Sequence, residues 1–130
     1  MSEHPYIARL RDAYAAFGKG DLDALQEIWS PELRWHAPGN NPLAGTYEGV
    51  PAVLAFLGQV LELTQGTFRA EPQTLCAGGD LGVAVVRLTG RREGRSLDVI
   101  DAQVSRFDGD RIVEFRDTSS DLEAVDRFFG

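Results

Sequence analysis

The chain has 130 residues, 43% of them hydrophobic, and this size and composition fit a single compact domain over residues 1–130. Its 20 acidic residues outnumber its 13 basic ones, and the formal charge of −7 repels phosphate backbones and anionic membrane surfaces. No apolar run approaches the length that a membrane span needs. We therefore expect neither nucleic acid nor a membrane among the partners.

The cellular compartment is predicted from cysteine content and from the first residues. Cys76 is the only cysteine, which rules out an intrachain disulfide and favours a reducing compartment. Residues 1–5 carry neither the basic nor the apolar region of a secretion signal. We expect a cytoplasmic protein in which Cys76 is a buried, unreactive small side chain.

Helical periodicity and helix stop signals dominate the first half of the chain. Apolar residues at helical spacing predict a first helix from about Pro5 to Phe17, ended by Gly18-Lys19-Gly20. Asp21 is the expected N-cap of a short second helix that ends at Ser30-Pro31. A third helix should follow with Pro51 in its first turn.

Strand-like patterns dominate the second half, where apolar residues alternate with polar ones. Four runs separated by turns predict an antiparallel meander: Thr67–Ala77, Leu81–Thr89, Ser96–Phe107 and Arg111–Thr118. Leu33–Ala37 is a fifth, short strand candidate, and Ser120, with Glu123 three residues later, is the expected cap of a short C-terminal helix. This order indicates an α+β fold in which helices cover one face of a curved antiparallel sheet.

The turn Asp108-Gly109-Asp110 joins the last two predicted strands and sets their register. A three-residue loop would place Asp101 directly opposite Asp117 on one face, roughly 5 Å apart at Cβ. Two carboxylates that close in a partly buried site cannot both ionise freely, so one becomes a candidate general acid or base. A two-residue loop would put them on opposite faces. A solvated acidic sheet face is the non-catalytic alternative.

Several motifs, in this order and spacing, resemble one family. They are Gly-Asp-Leu-Asp between two helices, Trp35-His36-Ala37-Pro38-Gly39, Pro42–Gly49 and Asp108–Asp117. Together they resemble the SnoaL-like branch of the nuclear transport factor 2-like (NTF2-like) superfamily over essentially the whole chain. The resemblance implies a cone-shaped α+β fold that encloses one apolar pocket, usually in a homodimer. The superfamily includes polyketide cyclases, steroid isomerases and epoxide hydrolases, so the fold does not determine the reaction.

Two of these catalytic patterns are not retained. Aligned with ketosteroid isomerases, the phenol donor falls on Ala13, the carboxylate base on Ala37 and the second acid on Gln103. Aligned with limonene epoxide hydrolases, the terminal aspartate matches Asp117, but the positions of its partners hold apolar residues: Ala84, Val86, Trp35 and Ala37.

The polyketide cyclase pattern is kept best. Its acid/base aspartate at the end of the last strand matches Asp117, while the histidine often found on the preceding strand is replaced by Gln103. Gln103 can donate a hydrogen bond to a substrate oxygen but cannot relay a proton. Asp101, on the same predicted face, could take the missing titratable role. The candidate catalytic residues are therefore Asp117, Asp101 and Gln103.

Aromatic side chains supply the candidate ligand contacts. Trp35 and Phe115 share predicted faces with pocket positions, and Tyr14 and Phe56 could complete an aromatic pocket. His36 could hydrogen-bond a ligand oxygen, although the alternation from Trp35 would point it outward and favours a structural role. No metal is expected, because the two histidines lack ligand spacing, and no cofactor is implied.

These features predict a SnoaL-like enzyme that performs cofactor-independent acid–base chemistry on an apolar, ring-bearing small molecule. The alternative is a non-catalytic ligand-binding or scaffold protein. A cavity of about 300 Å³ or more would favour small-molecule binding, and a filled cone would favour the scaffold. A homodimer is expected because Ile100, Ala102 and Val104 would otherwise form an exposed apolar stripe on the outer sheet face.

Overall fold

The computed structural model describes residues 3–130. Its helices are α1 (Pro5–Lys19), α2 (Leu22–Ile28), α3 (Val50–Leu63) and α4 (Leu122–Phe129). Its strands are β1 (Trp29–Ala37), β2 (Gly45–Glu48), β3 (Arg69–Gly78), β4 (Leu81–Arg92), β5 (Arg95–Asp108) and β6 (Arg111–Ser119).

The first two helices begin and end at the predicted signals. Gly20 adopts a left-handed conformation, with φ of 68°, and its N–H bonds to carbonyls of the last turn of α1. Asp21 caps α2 by accepting a hydrogen bond from the Ala24 N–H at 3.2 Å. Helix α2 ends one residue earlier than the Ser30-Pro31 signal suggested, because Trp29 is already extended and begins β1.

The six strands form one curved, open sheet in the order β2-β1-β6-β5-β4-β3. All neighbours are antiparallel except β1 and β6, which run parallel. The α+β fold with a four-strand meander is therefore confirmed, and the edge strand β2 is an addition that the sequence pattern did not predict. Helices α1 and α3 pack on the concave face, so the core lies between them and the sheet.

The register of β5 and β6 differs from the predicted one. Asp108 pairs with Arg111, so the hairpin loop has two residues, and a bulge between Arg106 and Phe107 then adds a further one-residue offset. Gln103 consequently lies opposite Asp117, while Asp101 lies opposite Ser119. The direct pairing of Asp101 with Asp117 was wrong, yet the two offsets together return both carboxylates to the same face as diagonal neighbours.

Helix α4 is joined to the loop that follows β1. Asp121 caps α4 by accepting from the Ala124 N–H at 3.1 Å, so the predicted cap at Ser120 was off by one residue. Further along α4, Asp126 Oδ1 accepts hydrogen bonds from the Asn40 N–H at 2.9 Å and from Asn41 Nδ2 at 2.8 Å. These bonds hold the loop and the helix together where both contribute to the cavity described below.

We expect Gly39→Ala to destabilise the protein by about 2 kcal/mol. Gly39 has φ of +110°, a backbone angle that residues other than glycine rarely adopt. A Cβ there would collide with the Asp126 carboxylate that holds the loop. Urea unfolding measures the change. Gly58→Ala is the control, since Gly58 lies in α3 with open space around it and should gain about 0.5 to 1 kcal/mol. Equal effects at the two glycines would contradict this account.

The outer face of the sheet carries several exposed side chains. Ile100 is 42% exposed, and its neighbours along the strand on that face, Ala102 and Val104, are half-buried. Cys76 is exposed, so its predicted burial was wrong: it follows Leu75, which packs against the core, and therefore points to the opposite face of β3. No helix among residues 3–130 is long and apolar enough to cross a bilayer.

Candidate active site

An apolar cavity of about 130 Å³ lies between the concave sheet face and the helices. Seven of the eight sequence-predicted site residues line it: Tyr14, Trp35, Phe56, Asp101, Gln103, Phe115 and Asp117. This volume is below the roughly 300 Å³ expected to favour small-molecule binding, but side chains do not fill the cone either. An apolar cavity of about 150 Å³ can hold benzene, so this one suits a single six-membered ring.

Three polar side chains stand together on the sheet wall of this cavity. Asp101 and Gln103 project from β5, and Asp117 projects from β6 opposite Gln103. Asp101 is 1% exposed and Gln103 is 8% exposed, so water reaches neither freely. Within the described residues, both Asp101 oxygens and Asp117 Oδ1 are buried, and no N–H or hydroxyl donor meets them at hydrogen-bonding geometry.

Burial of the two carboxyl groups decides their protonation. Burial raises the pKa of Asp117 to about 8, and the hydrogen bond and negative charge of Asp101 contribute to the rise. Burial also raises the pKa of Asp101, while the neighbouring Asp117 carboxyl and Ser119 hydroxyl act in the opposite direction. The arrangement that fits these shifts has a proton on Asp117, donated toward Asp101. Near neutral pH the pair can therefore both give and take a proton.

Tyr14 extends this polar group from the opposite wall of the cavity. Its hydroxyl, on α1, donates a hydrogen bond to Gln103 Oε1. Burial, followed by the charge of Asp117, raises the pKa of Tyr14, so the phenol stays neutral and remains a donor. With its oxygen held by Tyr14, the Gln103 amide turns its N–H group toward Asp117, whose pKa it lowers.

Tyr14→Phe should destabilise the protein by about 1 to 3 kcal/mol, because it leaves the buried Gln103 oxygen without a donor. Tyr6→Phe is the matched control: Tyr6 stacks on Phe107 through its ring, and among the described residues its hydroxyl makes no hydrogen bond. Chemical denaturation of both variants measures the difference. A loss no larger for Tyr14→Phe than for Tyr6→Phe would refute the role of this hydrogen bond.

Aromatic rings form the apolar part of the wall. Trp35 on β1 stacks on Phe115 of β6 with ring centroids 3.7 Å apart, as their pairing in adjacent strands requires. Phe56, from α3, tilts against Trp35 at 6.2 Å. Trp35 and Phe115 lie on the same sheet wall as the carboxyl pair, since Phe115 precedes Asp117 by two residues on β6, so a ligand meets an apolar surface beside proton-transfer groups.

His36 does not line the cavity, so its predicted ligand contact was wrong. It alternates with Trp35 along β1 and therefore points to the outer face. There Nδ1 lies 3.0 Å from Thr46 Oγ1, and Nε2 lies 2.7 Å from Glu114 Oε2. This bond, followed by charge attraction and by Arg106, holds the pKa of Glu114 below its usual range. The histidine links three strands of the sheet, consistent with its structural alternative.

Several cavity residues were missed by the sequence reasoning. Asn41 follows β1, and Val125 and Phe129 come from α4, and all three line the cavity. The apolar spacing of α4 predicted that this helix packs against the rest of the protein, but not that it covers the cavity.

Residues 3–130 contain no cluster of three or more His, Cys, Asp or Glu side chains suited to a metal ion.

Comparison with known proteins identifies the family. The sequence model of the SnoaL-like domain matches residues 10–115. The chain belongs to the SnoaL-like family. An uncharacterised protein of Mycobacterium tuberculosis is 31% identical to this SnoaL-like chain over 130 residues, covering 99% of each.

Solved structures agree with this assignment. Bal32a, from a soil-derived mobile gene cassette, is 32% identical, covers 97% of each chain and superposes with a TM-score of 0.94. A Xanthomonas campestris protein of unknown function with a cystatin-like fold is 31% identical, with 95% of this chain and 97% of that one covered, and has a TM-score of 0.90. The SnoaL-like chain thus shares its fold with these two proteins, but their descriptions name no reaction.

Proposed function

We propose that this SnoaL-like protein is a cofactor-independent enzyme that moves protons on an apolar, single-ring metabolite, in a cyclisation, an isomerisation or an epoxide opening. One observation carries the proposal: Asp117, whose pKa burial raises to about 8, stands beside Asp101 on the wall of an apolar cavity. A general acid or base is most effective when its pKa lies near the working pH.

The residues then have distinct roles. Asp117 takes a proton from the substrate or gives one to it, while Asp101 shares that proton and keeps the pKa of Asp117 high. Gln103 positions Asp117 through its amide and, on substrate binding, polarises a carbonyl or enolate oxygen of the substrate. Ala13 and Ala37, where ketosteroid isomerase-type groups would stand, line the cavity without a functional group, so this proposal uses the β5–β6 carboxyls alone.

A carbon acid of the right size tests the proposal. Cyclohexanone is one uncharged ring, and loss of its α-protons to D2O is visible by proton NMR. We expect exchange that saturates with ketone concentration and exceeds that produced by acetate at the same carboxylate concentration, since the cavity orients the ring beside Asp117. Exchange no faster than in acetate would contradict the proposed base.

The cavity volume favours a second candidate function. At about 130 Å³ the cavity is smaller than most ligand pockets, so the protein could hold a small ring without transforming it. Saturable binding of cyclohexanone without accelerated exchange would establish this non-catalytic function instead.

We also propose that the protein is a cytoplasmic homodimer that pairs through its outer sheet face. Exposed Ile100 gives that face an apolar centre, and the exposed thiol of Cys76 suits a reducing compartment. Light scattering at micromolar concentration should give twice the 14.3 kDa of one chain.

Ile100→Glu should halve that mass, because it would bury two facing carboxylates at the interface. Leu22→Glu is the matched control, since Leu22 is exposed at the start of α2, which packs on α1. A wild-type monomer, or equal behaviour of the two variants, would contradict the proposed interface.

A further inference from the structure

Among residues 3–130, three buried side-chain oxygen atoms meet no N–H or hydroxyl donor, and all three are hydrogen-bond acceptors on one wall. They are Oδ1 and Oδ2 of Asp101 and Oδ1 of Asp117, and the first residue is 1% exposed. Buried polar atoms in folded proteins are nearly always paired, so this wall has unused capacity for hydrogen-bond donors. A proton shared between the two carboxyls satisfies only part of that capacity.

No protein cation balances the charge of this wall. The cavity lining contains no Lys, Arg or His side chain of residues 3–130. The polar groups that face the carboxyls are the neutral phenol of Tyr14 from α1, the amide of Gln103 on β5 and the hydroxyl of Ser119 on β6. The arginines of β5 and β6 that ion-pair with Glu114 stand on the other face of the sheet with His36.

The aromatic part of the same sheet wall is suited to a ligand that carries one ring. Trp35 and Phe115 stack on one another beside the carboxyls, and the cavity of about 130 Å³ has room for one ring. Ligand rings pack favourably against aromatic side chains. An ammonium group also supplies three donors, as many as there are unpartnered acceptor atoms.

We propose that the cavity is a binding site for a protonated primary amine attached to a single ring, with the ammonium group against Asp101 and Asp117 and the ring against Trp35 and Phe115. This ligand class goes beyond the uncharged substrate proposed above. It concerns binding alone and does not depend on turnover. Binding of the cation favours the ionised carboxyl pair, so the proton held by Asp117 is released to solvent.

Calorimetric titration with benzylamine and with benzyl alcohol tests this site, because the two probes have nearly the same shape but differ in charge and donor number. At pH near 7 we expect benzylamine to bind about tenfold or more tightly, since hydrogen bonds to charged groups are stronger than neutral ones. Repeating the titration in two buffers of different ionisation enthalpy should show protons leaving the protein.

Variants separate the site from general attraction to an acidic protein. Asp101→Asn and Asp117→Asn should each remove most of the preference for benzylamine. Asp98→Asn, which removes an exposed carboxylate paired with Arg87, should keep it. Benzyl alcohol binding as tightly as benzylamine, binding of neither probe, or a preference that survives both cavity substitutions would overturn the inference. Because these titrations measure no turnover, a negative result would not bear on the acid–base proposal, which the cyclohexanone exchange experiment tests.

Discussion

Replacing Asp117 with Asn is expected to lower the rate of cyclohexanone α-proton exchange by about 100-fold or more, while the protein stays folded. Asn keeps the shape and most of the hydrogen-bonding capacity of the side chain but cannot exchange a proton. Proton NMR in D2O measures the rate, and circular dichroism shows whether the fold is kept. If the maximal rate falls while ketone binding persists, the loss lies in the chemical step.

Asp98→Asn is the matched control for this experiment. It makes the same chemical change to an exposed carboxylate that bonds Arg87 at 2.7 Å on the outer face, and it should leave exchange unchanged.

The pH dependence of stability gives a second readout for Asp117→Asn. Because the folded-state pKa of Asp117 is raised, the stability tied to its proton is present at low pH and is lost as pH rises through about 8. Asp117→Asn should therefore lose less stability than wild type between about pH 5 and pH 9.

The second large effect is expected from Asp101→Asn. The hydrogen bond and negative charge of Asp101 both raise the pKa of Asp117, so their removal should lower that pKa. The pH at which exchange reaches half its maximum should move downward, because Asp117 then ionises at lower pH. Burial remains in the variant, so the pKa of Asp117 should stay above that of an ordinary aspartate.

A pH–rate profile of Asp101→Asn and wild type measures this shift. An unchanged half-maximal pH would mean that Asp101 does not act on Asp117 during the reaction. An upward shift would contradict the like-charge account directly.

The sequence predicted which face the carboxyls share but not their offset along the strands. Alternation places Asp101 and Gln103 on one face of β5, and Asp117 follows Phe115 on one face of β6. The offset depends on the hairpin loop and on the bulge after Arg106, and a bulge has no reliable sequence signal here. Two one-residue shifts restored the shared face.

Contacts between residues far apart in the sequence were the second feature that the sequence could not predict. The hydrogen bond of Tyr14 to Gln103 joins residues 89 positions apart, and only the packing of α1 on the sheet creates it. Local alternation, by contrast, correctly placed His36 outside the cavity, whereas the motif around it had suggested a ligand contact. Hydrophobic periodicity and helix-capping residues thus predicted the helices and strands well, whereas the arrangement of the site residues depends on tertiary packing.

The central claim is that Asp101 and Asp117 share a proton on a buried wall, and carbon-13 NMR of their carboxyl groups across pH tests it most directly. We expect the Asp117 carbon to titrate near pH 8, in step with that of Asp101, because the two groups are coupled. Independent titration of both carbons at the ordinary pH of a solvent-exposed aspartate would contradict it.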